Sequence, residues 1–493
     1  MQGGNLDLEL DEEGVLQMGH NHNHNHTRSN PTIHGGGGGG GVPDAWLPIT
    51  ESRNGNAFYA TFHSLNTGIG FQALFLPFAF SILGWTWGIV SLSFGFGWQL
   101  YTLWLLTKLH ESVPPATRYS RYLHLAKAAF GEKRGKWMSL FPVLNLSGGT
   151  CIALVTLGGG AMRLFFQTVC GGEGTTSSCH HAKDLTNPEW FLVFMCIALL
   201  LAQLPNLNSF ASVSLVGAIS AITYCTILWV VPITHGRVVG ASEPILQPAK
   251  SGMAKTFSIL NALGVIAFSF RGHNLVLEIQ GTMPSTEEHQ SQVLMWKGVK
   301  FAYLLIAMCL YPLAIVGYWA YGNLVPQNSY GMLSTLYKVH GNNETSRFVL
   351  GLTSMLVAVN CLCSFQVYAM PGFDNLEVVY VSKMNRPCSR WVRMGIRIFY
   401  GFLVFFIAVA LPVLANLAGI LGGISLPMTL AYPCFMWINI RRPNRYNVMW
   451  FLNWGLGILG IVLSFLVIAG ALWSRVNKGI TANFFNPPSL FSM

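Results

Sequence analysis

Two membrane-length apolar stretches of this chain are interrupted near their middle by polar and glycine residues. The stretches cover residues 57–83 and 256–281, and the interruptions lie at residues 66–70 and 269–274. Hydrocarbon offers no hydrogen bond to a peptide group, so an unwound helix persists at that depth only where it is buried in protein or lines a wet cavity. A matched pair of interrupted spans, one in each half of a chain, is typical of a transporter binding site.

The composition places the whole chain in a membrane. Of its 493 residues, 52% are hydrophobic and 10% are charged, whereas about 25% charged residues is usual for a soluble domain. The net charge of +10 comes from 29 Lys and Arg residues, which are spread over short connections and not gathered on one polar domain. We therefore expect a lipid bilayer around the chain and no nucleic-acid partner.

Apolar runs of bilayer-spanning length predict the number of crossings. Such runs cover residues 57–83, 86–107, 142–168, 190–204, 209–233, 256–281, 299–321, 348–371, 394–413, 415–437 and 450–473. The prediction is an all-α polytopic membrane protein with eleven transmembrane helices. Spans one to five and six to ten would form a 5+5 inverted repeat in which helices 1 and 6 are discontinuous, with the eleventh as an appendage.

Basic residues in the connections predict the orientation, because Lys and Arg concentrate on the cytoplasmic side. They are dense after the second, eighth and tenth spans and sparse in the alternate connections. We expect a cytoplasmic N-terminus and an extracellular C-terminus. The predicted regions are a disordered cytoplasmic tail over 1–45, a transmembrane transporter domain over 46–475 and a short extracellular tail over 476–493.

The first residues and two external connections carry candidate modification or metal sites. The alternating His20, His22, His24 and His26 could chelate a metal, but a solvated low-complexity tail is commoner, so we expect no metal site and no cofactor. Asn343 begins an Asn-Glu-Thr acceptor tripeptide for glycosylation, a pattern that also arises by chance. Cys170 and Cys179 flank one external connection and would form either a disulfide or two free thiols.

Helix ends at the bilayer midplane indicate a class of cargo. A half-helix that begins there points free N–H groups and partial positive charge at its surroundings, which suits a carboxylate. A half-helix that ends there presents carbonyl groups, which suit an ammonium group. A zwitterionic amino acid satisfies both kinds of helix end.

Several strings in the sequence carry a family resemblance. They are Gly272-His273-Asn274-Leu275-Val276-Leu277-Glu278-Ile279-Gln280, Met283-Pro284-Ser285-Thr286, Met295-Trp296-Lys297-Gly298-Val299, Thr61-Phe62-His63, Leu76-Pro77-Phe78-Ala79 and Gly317-Tyr318-Trp319-Ala320-Tyr321-Gly322-Asn323. From about Trp46 to the end of the eleventh span, the chain resembles the plant lysine/histidine transporter-like branch of the amino acid/auxin permeases. The resemblance implies proton-coupled import of amino acids, a broken-helix transporter fold and a plasma-membrane location.

The two interruptions are the expected substrate site. Its candidate residues are Asn66, Thr67, Gly68, Gly70, Phe71, Gln72, Ser269, Phe270, Arg271, Gly272 and His273. The chain departs from the family at two of these places: it has Gly70-Phe71-Gln72 where Gly-Ala-Gly is usual, and Arg271 where a small residue is usual. The larger side chains should narrow the site. Arg271 would either bind a substrate carboxylate or pair internally with Glu278 or Asp374.

Ionisable residues within the spans are candidates for proton coupling, because such groups are costly in a membrane and usually face a cavity or a partner. Glu278 is the first candidate, with a static structural carboxylate as the alternative. His63 and His273 titrate in the right range but would also serve as neutral, hydrogen-bonded core residues. Asp374, just past the eighth span, suggests a gate or a loop anchor.

The predicted function is a proton-coupled amino acid symporter that works by alternating access. Two alternatives stay open: a carrier of auxin-like indole acids, and an amino acid sensor that does not complete a transport cycle. An enzyme is not expected, because no span carries a metal-ligand cluster or an evident pair of nucleophile and base. The expected partners are an amino acid, a proton and the bilayer, and the oligomeric state is left open.

Overall fold

The structure, a computed structural model, describes the chain in segments. These are residues 46–47, 49, 53–111, 118–170, 185–204, 207–241, 252–270, 272–286, 288–326, 330–341, 346–410 and 418–478. Residues 1–45 and 479–493 lie outside the described residues, so the predicted tails stay predictions.

Every regular element in these segments is helical. The first half contains α1 (Ala57–Gly68), α2 (Leu76–Leu109), α3 (Tyr122–Phe130), α4 (Glu132–Leu144), α5 (Thr150–Cys170), α6 (Asn187–Leu201) and α7 (Ala211–His235). The second half contains α8 (Gly252–Phe268), α9 (Val276–Gly281), α10 (Ser291–Tyr321), α11 (Gly331–His340), α12 (Arg347–Met384), α13 (Arg390–Ala410), α14 (Ala418–Leu426), α15 (Tyr432–Arg441) and α16 (Val448–Lys478). Short 3₁₀ turns cover Phe71–Phe75, Leu207–Phe210 and Gly322–Leu324, and π-helical turns cover Asn145–Gly149 and Pro427–Ala431.

Helix occurs in each of the stretches that the sequence marked as spans. Within the described residues, 8 helical segments are long and apolar enough to cross a membrane. One of these, Ala57–Leu109, contains both the first and the second predicted span. The two are separated at Gly84, whose φ of 73° is open to glycine and strained for other residues. The fourth stretch is the 15-residue α6, and the tenth is divided between α14 and α15.

The eighth span differs from its prediction at one end. The apolar run stops at residue 371, but α12 continues to Met384 and ends at Asn385, whose φ of 48° is left-handed. Asp374 therefore lies on the helix and not just past it. The expectation failed because hydropathy locates the lipid boundary, whereas a helix stops only where its backbone conformation changes.

Helix α12 lies at the centre of the fold and packs against α5, α7 and α1. Lipid tails are as apolar as leucine, so helices in a bilayer associate mainly through close packing at small residues. Gly158 and Gly159 of α5 show this effect, because Phe194 and Phe191 of α6 fill the space where a Cβ would lie. By contrast, Phe402 of α13 is 63% exposed, as expected for a side chain that faces lipid.

Candidate binding site at the two helix breaks

The first break lies immediately after α1. Ile69 has an extended backbone, with φ −105° and ψ 100°, and Gly70 is also extended, with φ −137° and ψ −162°. The chain then re-forms helix at Phe71–Phe75 and continues into α2. A helix that ends here has carbonyl groups without intrahelical partners, so their hydrogen bonds must come from elsewhere.

Two of these carbonyl groups receive hydrogen bonds from α12. The Ser364 hydroxyl donates to the Asn66 carbonyl at 2.9 Å, and the Tyr368 hydroxyl donates to the Thr67 carbonyl at 3.0 Å. All four residues are buried. The end of α1 is therefore attached to the central helix through its backbone.

The next carbonyl group is bound by the chain itself. The Gln72 side chain turns back across the break, and its Nε2 donates to the Gly68 carbonyl at 3.2 Å. Gln72 is only 2% exposed. A Cβ at Gly70 would lie 2.8 Å from the Gln72 Oε1, so glycine at this position leaves room for the folded-back amide.

An amide network joins the last turn of α1 to α7 and α12. The Asn66 Oδ1 accepts from the Ser364 hydroxyl at 3.0 Å and from the Asn360 Nδ2 at 3.3 Å. The same Asn360 group donates to the Gly217 carbonyl of α7 at 3.1 Å. The Asn66 Nδ2 is buried and has no hydrogen-bond partner among the described residues.

The second break separates α8 from α9. Ser269 follows α8 and donates its hydroxyl hydrogen bond back to the Val265 carbonyl at 2.8 Å. Arg271 lies outside the described residues. Gly272 has a φ of 118°, a conformation that favours glycine, and the chain turns through residues 273–275 before α9 begins at Val276.

The two breaks meet in the structure. A Cβ built on Gly272 would lie 3.9 Å from the Thr67 Oγ1. The rings of Phe71 and Phe268, which flank the breaks, lie 6.4 Å apart in an edge-to-face arrangement. The arrangement therefore brings together Thr67, Phe71 and Gly272, as the sequence predicts, and adds Phe268.

Other candidates of the second break point towards different helices. The His273 Nε2 lies 2.9 Å from the Thr102 Oγ1 of α2, and the Phe270 ring packs edge-to-face on Phe96, also of α2, at 5.5 Å. These contacts attach the unwound segment to α2. His273 thus faces α2 and not the place where Thr67 and Gly272 meet.

His63 lies on α1, about one and a half turns before the break. Its Nδ1 lies 2.7 Å from the Ser214 hydroxyl of α7, and the residue is 2% exposed. This geometry suits a hydrogen-bonded core residue that links α1 to α7.

Glu278 on α9 is the least satisfied acidic residue near the breaks. It is 5% exposed, and its Oε2 has no hydrogen-bond partner among the described residues. The charges of Asp374 and Arg121 both act on it. Burying an ionised carboxylate without a direct partner is expensive, so Glu278 stands apart from the paired carboxylates around it.

Asp374 forms a buried ion pair that the sequence did not indicate. The Arg121 Nε and Nη2 donate to its two carboxylate oxygens at 2.6 Å and 3.0 Å. The two side chains are 9% and 2% exposed. Arg121 precedes α3, and its neighbour Arg118 donates to the Gln280 and Met283 carbonyl groups at 3.3 Å and 2.8 Å. A loop between α2 and α3 is thereby fixed to α9 and α12.

One pattern in the sequence indicates some of the residues that bind the breaks and that the sequence analysis did not name. Asn360, Ser364 and Tyr368 recur at intervals of four within the largely apolar eighth span. Residues four apart share one helix face, and here that face carries the donors to α1. The partners Arg121 and Arg118 gave no such signal, because they lie in an ordinary basic connection.

The predicted disulfide and glycosylation sites lie mostly outside the described residues. Cys170 is disulfide-bonded, but its predicted partner Cys179 lies outside the described residues, as does Asn343. In the parts of the chain that the structure describes, no group of three or more His, Cys, Asp and Glu residues is arranged to hold a metal ion.

Comparison with known proteins supplies the class of protein. The family described as transmembrane amino acid transporter protein matches residues 53–474. The chain belongs to this family. It is 55% identical to lysine histidine transporter-like 8 of Arabidopsis thaliana over 90% of this chain and 84% of that protein. It is 44% identical to lysine histidine transporter-like 7 of the same plant over 90% of each chain. The resemblance seen in the sequence is thus confirmed, and this amino acid transporter is a multi-pass membrane protein and not an enzyme.

Two solved structures have a similar fold. One is Mhp1, a nucleobase-cation-symport-1 family transporter, with a TM-score of 0.53 and 12% identity over 88% of this chain and 96% of that one. The other is a Na⁺-coupled sialic acid symporter, with a TM-score of 0.50 and 12% identity over 89% and 92%. At this identity the likeness concerns fold alone, and it confirms the predicted broken-helix transporter fold.

Proposed function

We propose that this protein is a proton-coupled symporter that imports amino acids across the plasma membrane by alternating access. The observation that carries the proposal is the meeting of the two unwound segments, where the Thr67 hydroxyl faces Gly272. Unwound backbone within a membrane span is tolerated only in a protein-lined or wet place, and matched breaks mark the binding site in transporters of this architecture.

A zwitterionic amino acid suits the polarity of the helix ends at this place. Helices α1 and α8 end here and direct carbonyl groups towards the site, whereas the helix that begins at Phe71 directs N–H groups towards it. Carbonyl groups accept from an ammonium group, and helix N-termini bind a carboxylate. The relatives named as lysine histidine transporter-like proteins agree with a cargo of this class.

Glu278 is the proposed carrier of the proton. It is buried without a hydrogen-bond partner for its Oε2, whereas Asp374 next to it is held by Arg121. Glu278 is therefore the acidic residue of this group whose charge is least compensated. A carboxyl group of this kind takes up a proton when dry and releases it when water reaches it.

The contacts around Arg121 are the proposed inner gate. The Arg121–Asp374 pair and the bonds from Arg118 to the end of α9 tie together elements beneath the two breaks. The Gly55 N–H adds a bond to the Thr282 carbonyl at 2.9 Å, across the segment before α1. For the cargo to leave towards the cytoplasm these contacts must separate.

Substrate-evoked current tests the coupling. In a voltage-clamped cell that contains the protein, a panel of amino acids should evoke inward current that grows as external pH falls. Glu278→Gln should weaken this pH dependence, because an amide neither takes up nor releases a proton in this range. Glu132→Gln, the same change at an exposed residue of α4, should leave it intact.

The outcome separates the remaining alternatives. Current or uptake that is indifferent to external pH would refute the coupling. Uptake of labelled indole acids in place of amino acids would favour the auxin-like carrier. Binding of amino acids without uptake into vesicles would identify a sensor.

A further inference from the structure

We propose that Gln72 is an internal ligand of the substrate site: its carboxamide occupies the position that receives the substrate's ammonium group, and the cargo must displace it to bind. This inference rests on the proposed function, because it assigns a role within the same site. It also explains why a bulky polar residue is accommodated at the first break.

The geometry at the end of α1 singles out one carbonyl group. The Asn66 and Thr67 carbonyls are held by Ser364 and Tyr368 of α12. The next one, on Gly68, is held by the Gln72 Nε2 at 3.2 Å. Gly68 is the last residue of α1, so its carbonyl is the one that reaches furthest into the break.

The bond from Gln72 differs from the other two in how it can open. Ser364 and Tyr368 lie on the central α12, so their bonds to α1 cross a helix–helix interface. Gln72 lies on the segment just after the break, only four residues from its acceptor. Rotation of one side chain is enough to release the Gly68 carbonyl, and side-chain rotation is fast compared with helix movement.

The space around Gln72 fits a side chain that folds back over the break. A Cβ at Gly70 would lie 2.8 Å from its Oε1, so the conformation depends on glycine there. On the neighbouring side, the Phe71 ring packs against Phe75 and Phe268 at 6.3 Å and 6.4 Å. The amide is therefore held at the break by its bond to the Gly68 carbonyl, and Gln72 is buried with 2% exposure.

The substrate's ammonium group can take the place of the Gln72 amide on the Gly68 carbonyl. A carboxamide N–H and an ammonium N–H are both donors to a carbonyl oxygen, so one replaces the other without leaving the Gly68 carbonyl unsatisfied. The charged donor forms the stronger bond, which lets the substrate win the competition. A carboxylic acid without an ammonium group has no donor for the Gly68 carbonyl, so it leaves the Gln72 amide in place and its affinity does not depend on Gln72.

Replacement by methionine tests the proposal, because Gln72→Met keeps the length of the side chain and removes the donor. The KM for uptake of labelled L-alanine should fall by roughly two- to tenfold, the range that corresponds to an internal hydrogen bond of ordinary net strength. Inhibition of that uptake by propionate, which has the carboxylate of alanine and no ammonium group, should stay at the wild-type level, because propionate does not compete with Gln72 for the Gly68 carbonyl. A merely structural role would raise or leave unchanged the KM and would not separate the two compounds.

Gln366→Met is the matched control. The Gln366 Nε2 donates to the Ala198 carbonyl at 2.9 Å, in a buried contact between α12 and α6 away from the breaks. This variant should keep the wild-type ratio of alanine to propionate affinity. The elution profile of each purified variant, compared with wild type, establishes that it folds.

The possible failures are distinguishable. If the wild-type protein takes up alanine and the folded Gln72→Met variant has an unchanged or raised KM, the role of Gln72 is overturned and the proposed function stands. Absence of saturable uptake of any amino acid by the wild-type protein overturns the proposed function, and the role of Gln72 with it.

Discussion

Glu111 is a single residue that connects several elements through polar contacts. It follows α2, and its Oε1 accepts from the Ser291 hydroxyl at the start of α10 at 2.6 Å and lies 3.3 Å from the Arg118 Nε. Burial acts to raise the pKa of this carboxyl group, but the nearby His110, Ser291 and Ser285 outweigh it and lower the pKa from 4.5 to about 2. The ionised form is therefore stabilised by the fold.

Glu111→Gln should lower the thermal stability of the detergent-solubilised protein at neutral pH. Because the folded pKa lies below the unfolded one, this stabilisation is complete above about pH 4.5 and is lost as pH falls towards 2. We expect a cost of roughly 1 to 2 kcal/mol at neutral pH, reduced by solvent screening. The difference in Tm from wild type should narrow below about pH 4.5, and a constant difference down to pH ~3 would contradict this account.

Helix α1 and helix α10 illustrate packing at the scale of elements. Gly298 of α10 lies against α1 so closely that a Cβ there would be 2.7 Å from the Ala57 carbonyl oxygen and 2.8 Å from the Ala60 Cβ. The Thr61 hydroxyl also donates to the Gly298 carbonyl at 3.3 Å. This contact holds the broken first span against the seventh, so it fixes the position of one side of the site.

Gly298→Val should force α1 and α10 apart, because backbone and Cβ atoms cannot rotate out of the way. Overpacking of this kind costs about 1 to 3 kcal/mol or more, so we expect a clear loss of Tm and of saturable uptake. Gly97→Ala in α2 is the control, because nothing lies within 4 Å of the Cβ position there. Equal Tm values for Gly298→Val and wild type would show that the two helices are free to separate.

At the scale of the whole molecule, one end of the bundle is closed by charged residues. Besides the Arg121–Asp374 pair, the Arg393 Nε donates to the Glu377 carboxylate at 3.1 Å, and its Nη2 donates to the Trp46 carbonyl at 3.2 Å. These bonds connect α3, α12, α13 and the segment before α1. Removing one partner of a buried pair leaves an uncompensated charge. A variant that lacks one partner should therefore open first at this end.

Asp374→Asn should shift the population towards conformations that are open at this end. Hydrogen–deuterium exchange should increase in residues 276–283 and 118–125, while exchange in α16 stays at the wild-type level. Arg121→Gln combined with Asp374→Asn removes both charges and should restore part of the protection. Unchanged exchange in the single variant would show that the pair does not hold this end closed.

The sequence by itself determined that the chain lies in a membrane, where its apolar spans and the two breaks are, and the family. Spans and breaks depend on the residues of one segment. An apolar run of sufficient length is a span, and glycine and polar residues interrupt it, whichever helices pack against it. The family was readable for a similar reason, since its strings are contiguous.

Only the tertiary structure decided which side chains meet. Arg121 and Asp374 are 253 positions apart, and Ser364 binds a carbonyl 298 positions away. The four-residue spacing around Ser364 marks a polar helix face, but it does not say which helix that face contacts. Even Gln72, which is close in sequence to its acceptor, became interpretable only when α12 was seen to hold the two preceding carbonyl groups. Hydrophobic patterning directs a segment into the bilayer, whereas the pairing of polar groups depends on how every other helix packs.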